Sequence, residues 1–379
     1  MNAPALRTAL RLVALLAFAL LALVRPAVAE PVTAVDLLGR TVSLPAPAKR
    51  IVLAQGRQLN ALGLIHRDPL SIIAGWSGDF RRQMPDAYAR YRETFPAIDD
   101  IPLTGDGTTA DAFSFEKAVS LAPDLVVLSQ SLAGTRRGPG DLVQRFEAAG
   151  VPVVVIDFYF EPLRDTVPSL RILGTLIGRQ EQAEAFITLY EQRRRRIAER
   201  LAGAPRPSVF FHAHAGGFDC CSSPGKGIFD SLITLAGGRN IAADLIPGPS
   251  GVISLEQLLA IDPDVYIGSG GVHLAKRGGL VLGLGIGPTQ AAASLAAVLG
   301  QPGFEVLSAV RKGRSFGLWQ LFNDTPLHLV ALEVMATWLH PERMAGIDPQ
   351  ATLREIEARF SAIPLDGTLW IEGPAAAAP

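Results

Sequence analysis

Two stretches decide how this chain folds: Phe115-Glu116-Lys117-Ala118-Val119-Ser120-Leu121-Ala122-Pro123-Asp124-Leu125-Val126-Val127 and Ser254-Leu255-Glu256-Gln257-Leu258-Leu259-Ala260-Ile261-Asp262-Pro263-Asp264-Val265-Tyr266-Ile267. Each opens an amphipathic turn with a glutamate, runs through apolar positions to Pro-Asp, and continues into a strand of β-branched and aromatic residues. The two glutamates, Glu116 and Glu256, are 140 residues apart. Repetition at that spacing implies two similar α/β lobes, each carrying one equivalent acid. Such a pair of acids matters most where something outside the protein grips both lobes at once.

Around this repeat, strand-like and helix-like runs alternate. Arg50 to Ala54, Ser71 to Ala74, Leu125 to Leu128 and Val151 to Ile156 read as strands of a first lobe, with helical stretches at Gln58 to Leu64 and Gly140 to Ala149. Ser208 to Phe211, Val265 to Ile267 and Ser315 to Leu318 repeat the theme in the second. Continuous apolar strands with helices between them predict an α/β fold of mainly parallel sheets, buried on both faces. Ligands of such sheets sit outside the carboxyl ends of the strands. At the centre, Ala183, Phe186, Ile187, Tyr190, Ile197 and Leu201 recur at helical spacing, which predicts one long helix joining the lobes. The expected organisation is a first lobe over residues 30–178, a linking helix over 179–203 and a second lobe over 204–379. The run Arg193 to Arg196 on that helix reads as a solvated face.

The chain opens like an export signal. Arg7 and Arg11 precede the apolar run Leu12 to Val24, and Ala27-Val28-Ala29 has the small-x-small form of a cleavage site. That run is shorter than the roughly 20 residues a membrane-spanning helix needs. Residues 1–29 are therefore expected to be a signal peptide removed after Ala29, leaving a soluble, extracytoplasmic mature chain. Three arginines leave with it, so 32 basic residues face 36 acidic ones and the net charge is about −4. Nucleic acid, which asks for a basic face, is not an expected partner.

The segment Asp36-Leu37-Leu38-Gly39-Arg40-Thr41-Val42-Ser43-Leu44-Pro45, followed by Lys49-Arg50-Ile51-Val52, resembles the opening hairpin and first strand of the periplasmic binding proteins. The branch in question serves ABC importers of ferric siderophores, haem and cobalamin. The twin Glu-to-Pro-Asp segments and Ala236-Gly237-Gly238-Arg239-Asn240-Ile241 are similar to motifs of the same family, and the likeness runs from about residue 34 to 372. The resemblance implies two Rossmann-like lobes joined by a rigid helix, with a cargo cleft between them. It also implies that Glu116 and Glu256 dock onto basic residues of a permease dimer in the inner membrane. The bland reading of each glutamate is a first-turn acid favoured by the helix dipole.

Cleft residues are expected in the loops that follow strands. Gln55 and Arg57 follow the first strand, Trp76 and Arg81 the second, and Tyr159 the fourth. Arg136 and Arg137 lie in a glycine-flanked loop. The second lobe offers His212, His214, Cys220 and Cys221 after its first strand, then Trp319 and Phe322. Aromatics interleaved with arginines suit a bulky anionic ligand, held by stacking and forked hydrogen bonds. Arg57, directly after a buried strand, is the foremost candidate.

Cys220 and Cys221 are the two cysteines of the chain, and they are adjacent. Neighbouring Cα atoms stand about 3.8 Å apart across a trans peptide, below the usual disulfide range of roughly 4.4–6.8 Å. A vicinal bridge is strained but feasible in an oxidising compartment; free thiols and an intermolecular bridge are the alternatives.

Enzymatic readings fail one by one. Gly75-Trp76-Ser77-Gly78-Asp79 lacks the last glycine of a nucleophile elbow. Gly283-Leu284-Gly285-Ile286-Gly287 follows no clear strand, so it reads as a mobile loop over the cleft rather than a dinucleotide site. The sequence therefore predicts a monomeric carrier without catalysis or a resident cofactor, whose cargo is an Fe(III) chelate such as a ferric siderophore. Haem, cobalamin or a metal oxyanion is the alternative cargo. A direct metal-ion site on His212, His214 and Cys220 is a further alternative, and an enzyme on the same scaffold is disfavoured.

Overall fold

The computed structural model describes residues 30–105, 109–135, 138–218 and 220–374. The predicted signal peptide, Arg136 and Arg137 lie outside the described residues. The described chain opens with an antiparallel hairpin, Val32–Val35 on Thr41–Leu44. Its turn is held by the Asp36 carboxylate, which accepts from the Leu38 and Arg40 amides at 2.9 and 3.0 Å. Gly39, at φ 81°, supplies the left-handed residue the turn requires.

The first lobe is built on a four-stranded sheet in the order Ile73–Trp76, Ile51–Leu53, Leu125–Ser129, Val153–Ile156. All its pairings are parallel, and every residue of the last two strands is buried. Such strands read as unbroken apolar runs because helices cover both faces. The second lobe repeats the order with Arg239–Asn240, Ser208–His212, Val265–Gly270 and Ser315–Trp319. It then adds an antiparallel edge strand, Trp370–Glu372, that the sequence did not announce. One continuous apolar cluster extends from Leu53 and Trp76 through the linking helix to Phe210 and Leu339.

The linking helix spans Gln180–Arg200 and turns Ala183, Phe186, Ile187, Tyr190 and Ile197 inward. Its arginine run is more than a solvated face. Arg193 pairs with Glu355 at 2.8 Å and approaches the buried Glu333 at 3.7 Å. Arg194 donates to the Leu163 carbonyl at 2.6 Å. The buried Tyr190 hydroxyl meets His328 of the second lobe at 2.8 Å, so polar contacts fix this helix to both lobes.

The glycine-rich segment also departs from expectation. Gly283–Leu284 pairs antiparallel with Gly367–Thr368, and the Leu284 amide donates to the buried Asp86 carboxylate of the first lobe at 3.0 Å. Nearby, Arg90 pairs with Asp366 at 2.6 Å. The segment is an interlobe seam rather than a mobile loop. Among the described residues no helix is long and apolar enough to cross a membrane.

Candidate functional site

In both lobes the first strand lies between the second and the third, so the chain reverses its direction of travel across the sheet there. Loops leaving neighbouring strands part at such a point and open a crevice at their carboxyl ends. In the first lobe the crevice carries Gln55, Arg57 and Ser131, with Gln55 Nε2 donating to Ser131 Oγ at 3.2 Å. In the second it carries His214 and His273, whose Nδ1 and Nε2 atoms are 3.0 Å apart. Gly56 makes the first turn possible, since a Cβ there would stand 2.4 Å from the Ser77 carbonyl oxygen. Its amide instead donates to the buried Asp79 carboxylate at 2.7 Å, which sets Arg57 at the cleft.

The two crevices face each other across a cavity of about 480 Å³. The first lobe contributes Arg57, Arg82 and Tyr159; the second contributes His214, His273, Asn323 and Asp324. A second cavity of about 330 Å³ shares Tyr159, His214, Gln320 and Asn323 with it and extends along Ser222 and Ser223. This space is large enough for a small-molecule cargo.

Charge in the cavity is finely matched. The Arg57 guanidinium forms an ion pair with Asp324 across the lobes, donates to Gln83 Oε1 at 3.2 Å, and lies 3.8 Å from Asp79. Burial raises the Asp324 carboxyl to about 7, against the opposing pull of Arg57. Burial likewise lifts Asp157 to about 6, although its carboxylate accepts from the Phe160 and Tyr159 amides. Across the cavity, burial lowers His214 and lowers His273 to about 4. The facing imidazoles are therefore neutral at neutral pH, and one donates to the other while spare ring nitrogens remain as acceptors or donors.

The structure brings Arg57, Tyr159 and His214 together on the cavity wall and sets Gln55 just behind it. Several other candidates are elsewhere. Trp76 is buried, stacked on Tyr88 with centroids 6.1 Å apart and packed on Phe80 at 5.7 Å. Trp319 and Phe322 are also buried, packed edge to face at 5.5 Å. Aromatics at the end of a sheet covered on both faces gain most by filling the layer between sheet and helix, and these three do so. Arg81 is exposed and lies over the Tyr88 ring at 5.7 Å. Arg82, about 100° further round the same helical turn, is the one that reaches the cavity.

His212 is buried as well. It stacks on Phe304 at 5.5 Å, its Nδ1 meets the Tyr266 hydroxyl at 2.8 Å, and burial lowers its pKa to about 4. Cys220 and Cys221 are bonded to each other, and Cys221 pairs through its backbone with Ile253. The trio His212, His214 and Cys220 thus does not converge, and among the described residues no cluster of three or more metal-ligating side chains exists. The bridged pair borders the site only through the next residues, Ser222 and Ser223.

The sequence placed Arg82 in the loop after the second strand but singled out Arg81 from it, and it missed His273, Asn323 and Asp324. His273 lies three residues beyond the strand Val265–Gly270, and Asn323 directly follows Phe322. The signal was present; the expected loops simply ended too soon.

Glu116 and Glu256 occupy the same place in their lobes, second in the helices Phe115–Ser120 and Leu255–Ile261. The helices are capped by Ser114 and Ser254, whose hydroxyls accept from the Lys117 and Gln257 amides. Both glutamates are exposed and outside the cavity lining. Glu116 meets Arg145 at 3.0 Å, whereas Glu256 has no ion-pair partner among the described residues.

Residues 65–320 match the family model of the periplasmic binding proteins. The TroA-like periplasmic binding protein FepB from Veillonella parvula superposes with a TM-score of 0.83 at 25% identity, covering 91% of this chain and 100% of that one. The Fe(3+) dicitrate-binding periplasmic protein FecB of Escherichia coli is 24% identical over 223 residues, which is 59% of this chain and 67% of FecB. The molybdate-binding protein MolA of Haemophilus influenzae is 22% identical over 254 residues, 61% of this chain and 67% of MolA. Two α/β lobes of one topology, a single long helix between them and a family match over most of the sequence lead to one conclusion: this chain belongs to the periplasmic binding proteins of ABC importers, which bind a substrate for transport and are not enzymes.

Proposed function

We propose that the chain captures an anionic iron(III) chelate between its lobes and presents it to the permease of an ABC importer through Glu116 and Glu256. The observation that carries this reading is the pairing of cavity walls: guanidinium groups from Arg57 and Arg82 on one side, the His214–His273 imidazoles on the other. Guanidinium forks recognise carboxylate and catecholate oxygens, and neutral imidazoles add nitrogen donors towards a metal complex. A lone tetrahedral oxyanion would leave most of about 480 Å³ unfilled, which disfavours molybdate as cargo here.

A thermal-shift panel tests the proposal. Purified protein is heated with ferric citrate, a ferric catecholate, a ferric hydroxamate, haem, cobalamin or molybdate. Cargo at ~100 times its Kd adds about 2.7 kcal/mol of stability, so the anionic iron chelates are expected to raise Tm. A shift with haem, cobalamin or molybdate alone sinks the iron reading.

A further inference from the structure

Arg57 is the cavity group best suited to an anionic cargo, yet it is already occupied. Its guanidinium is paired with Asp324, which arrives from the opposite lobe, immediately after the turn Gln320–Phe322. The pair spans the cavity rather than lying beneath it, because both residues line the same space. Asp79, 3.8 Å from Arg57 and buried under it, supplies a second negative neighbour. A carboxylate on a guanidinium is the very contact that a carboxylate-bearing ligand would make.

We propose that Asp324 is an internal counter-ion that holds Arg57 in the empty protein and exchanges places with an oxyanion of the cargo on binding. This inference rests on the reading of the cavity as the cargo site. It makes Asp324 a specificity residue. A neutral chelate cannot displace a carboxylate from Arg57, whereas an anionic one replaces one charge-assisted contact with another. The released Asp324 then stands in a buried setting beside Asp157, Asp79 and Tyr159, so it takes up a proton instead of remaining charged. Binding of an anionic chelate is therefore coupled to proton uptake. Below about pH 7 Asp324 is already neutral and Arg57 is already released, so anionic cargo binds more tightly there. Burial lowers His273 to about 4, below this window, and lowers His214 as well. Asp157 is lifted too, to about 6, so the substitution rather than the slope alone assigns the effect.

Asp324 sits at φ 64°, a conformation asparagine tolerates well, so Asp324→Asn removes the charge with little backbone cost. The first measurement uses empty protein: urea unfolding at pH 8 of the wild type, Arg57→Gln, Asp324→Asn and the double variant. Contacting pairs depart from additivity, so a coupling of at least about threefold in the unfolding constant is expected. An additive cycle overturns the latch.

The second measurement titrates ferric citrate by tryptophan fluorescence at pH 6 and pH 8. The wild type should bind about three- to tenfold more tightly at pH 6, and Asp324→Asn should bind about tenfold more tightly than the wild type at pH 8, with a flattened pH profile. A variant that binds no better than the wild type and keeps its pH slope overturns the exchange. Failure of both proteins to bind ferric citrate removes that cargo instead, and the cycle on empty protein still decides the latch.

Discussion

Asp124 and Asp264, 140 residues apart, perform one task in the two lobes. Asp124 Oδ2 accepts from the Lys49 and Arg50 amides at 2.9 and 3.0 Å, just before the strand Ile51–Leu53. Asp264 Oδ2 accepts from the Ser208 amide and hydroxyl at 2.8 and 2.6 Å, where the strand Ser208–His212 begins. Each carboxylate ties the start of a lobe's first strand to the start of its third. The preceding residues match too, with Ala122 at φ 46° and Asp262 at φ 44° ahead of Pro123 and Pro263. The Pro-Asp of the repeat is therefore a sheet-registering device.

Asp124→Ala and Asp264→Ala should each lower stability by about 0.5–1.5 kcal/mol, the net worth of hydrogen bonds whose exposed amides water can resolvate. For Asp264, the hydrogen bonds from Ser208 hold the carboxyl below the usual range. A depressed folded value gives stability that is present above the unfolded pKa and lost as pH falls through the folded one. Urea midpoints at pH 7 and in acid decide the point; an unchanged midpoint for either variant would falsify the registering role.

Buried His212 adds an acid sensitivity of the same sign in a higher pH window. Its pKa falls to about 4 through burial, from 6.5 in the open chain, so the unfolded chain binds the extra proton below pH 6.5 and stability drops. Asp157 and Asp324, lifted to about 6 and 7, work in the other direction by binding protons in the folded state. The measurable quantity is thus a difference. His212→Gln should be less stable than the wild type at pH 7 and should lose less on acidification, by about 1.4 kcal/mol per pH unit between pH 6 and 5. Parallel pH profiles for the two proteins would show that His212 titrates normally.

Two covalent expectations meet in one measurement, the intact mass of unreduced protein from the exported fraction. Cleavage after Ala29 gives a chain starting at Glu30, and the Cys220–Cys221 bridge leaves no thiol to alkylate until a reductant is added. A mass retaining residues 1–29 refutes the processing. Two alkylated cysteines without reduction refute the bridge.

Arg57 and Arg82 should separate binding from stability. Loss of one charge-assisted contact to cargo costs roughly 1.5–3 kcal/mol, so Arg57→Gln and Arg82→Gln should each weaken ferric citrate binding by about 10- to 150-fold. Arg57 also faces the buried Asp79 and Asp324, so its loss leaves carboxylates without a counter-charge and should lower Tm. Arg82 is exposed, and its loss should lower Tm less than the loss of Arg57. Equal Tm losses in both variants would contradict this division.

The sheets, the linking helix and the lobe repeat were legible because each is written in local pattern: apolar runs, helical spacing and Pro-Asp punctuation. The site was legible only to the level of loops. Which side chain of a loop faces the cavity depends on helical phase, as with Arg81 and Arg82, and on partners far off in sequence. The distances from Arg57 to Asp324 and from His214 to His273 in sequence exceed anything a local pattern reports. Aromatics misled for a related reason. Trp76, Trp319 and Phe322 have the composition of a ligand platform, but the interior between sheet and helices claims them first.

Docking is the last expectation, and the two lobes should contribute unequally. Glu116 shares its carboxylate with Arg145, whose guanidinium also lies 4.3 Å from the Phe115 ring centre. A permease arginine approaching Glu116 must displace that neighbour, whereas at Glu256, whose carboxylate accepts from Ser254 and its own amide, no described cation stands in the way. Exposed pairs of this kind are worth about 0.2–1 kcal/mol, so the handicap is at most about fivefold in affinity. Rim charges act mainly on association rate and its salt dependence. Accordingly, Glu256→Arg should slow association with permease-bearing membranes more than Glu116→Arg, and Arg145→Ala should quicken it at low salt. The double reversal Glu116→Arg with Glu256→Arg should abolish uptake while leaving ferric citrate affinity unchanged, because neither residue lines the cavity. Should cargo affinity fall in the double variant, or uptake persist, these glutamates serve something other than docking.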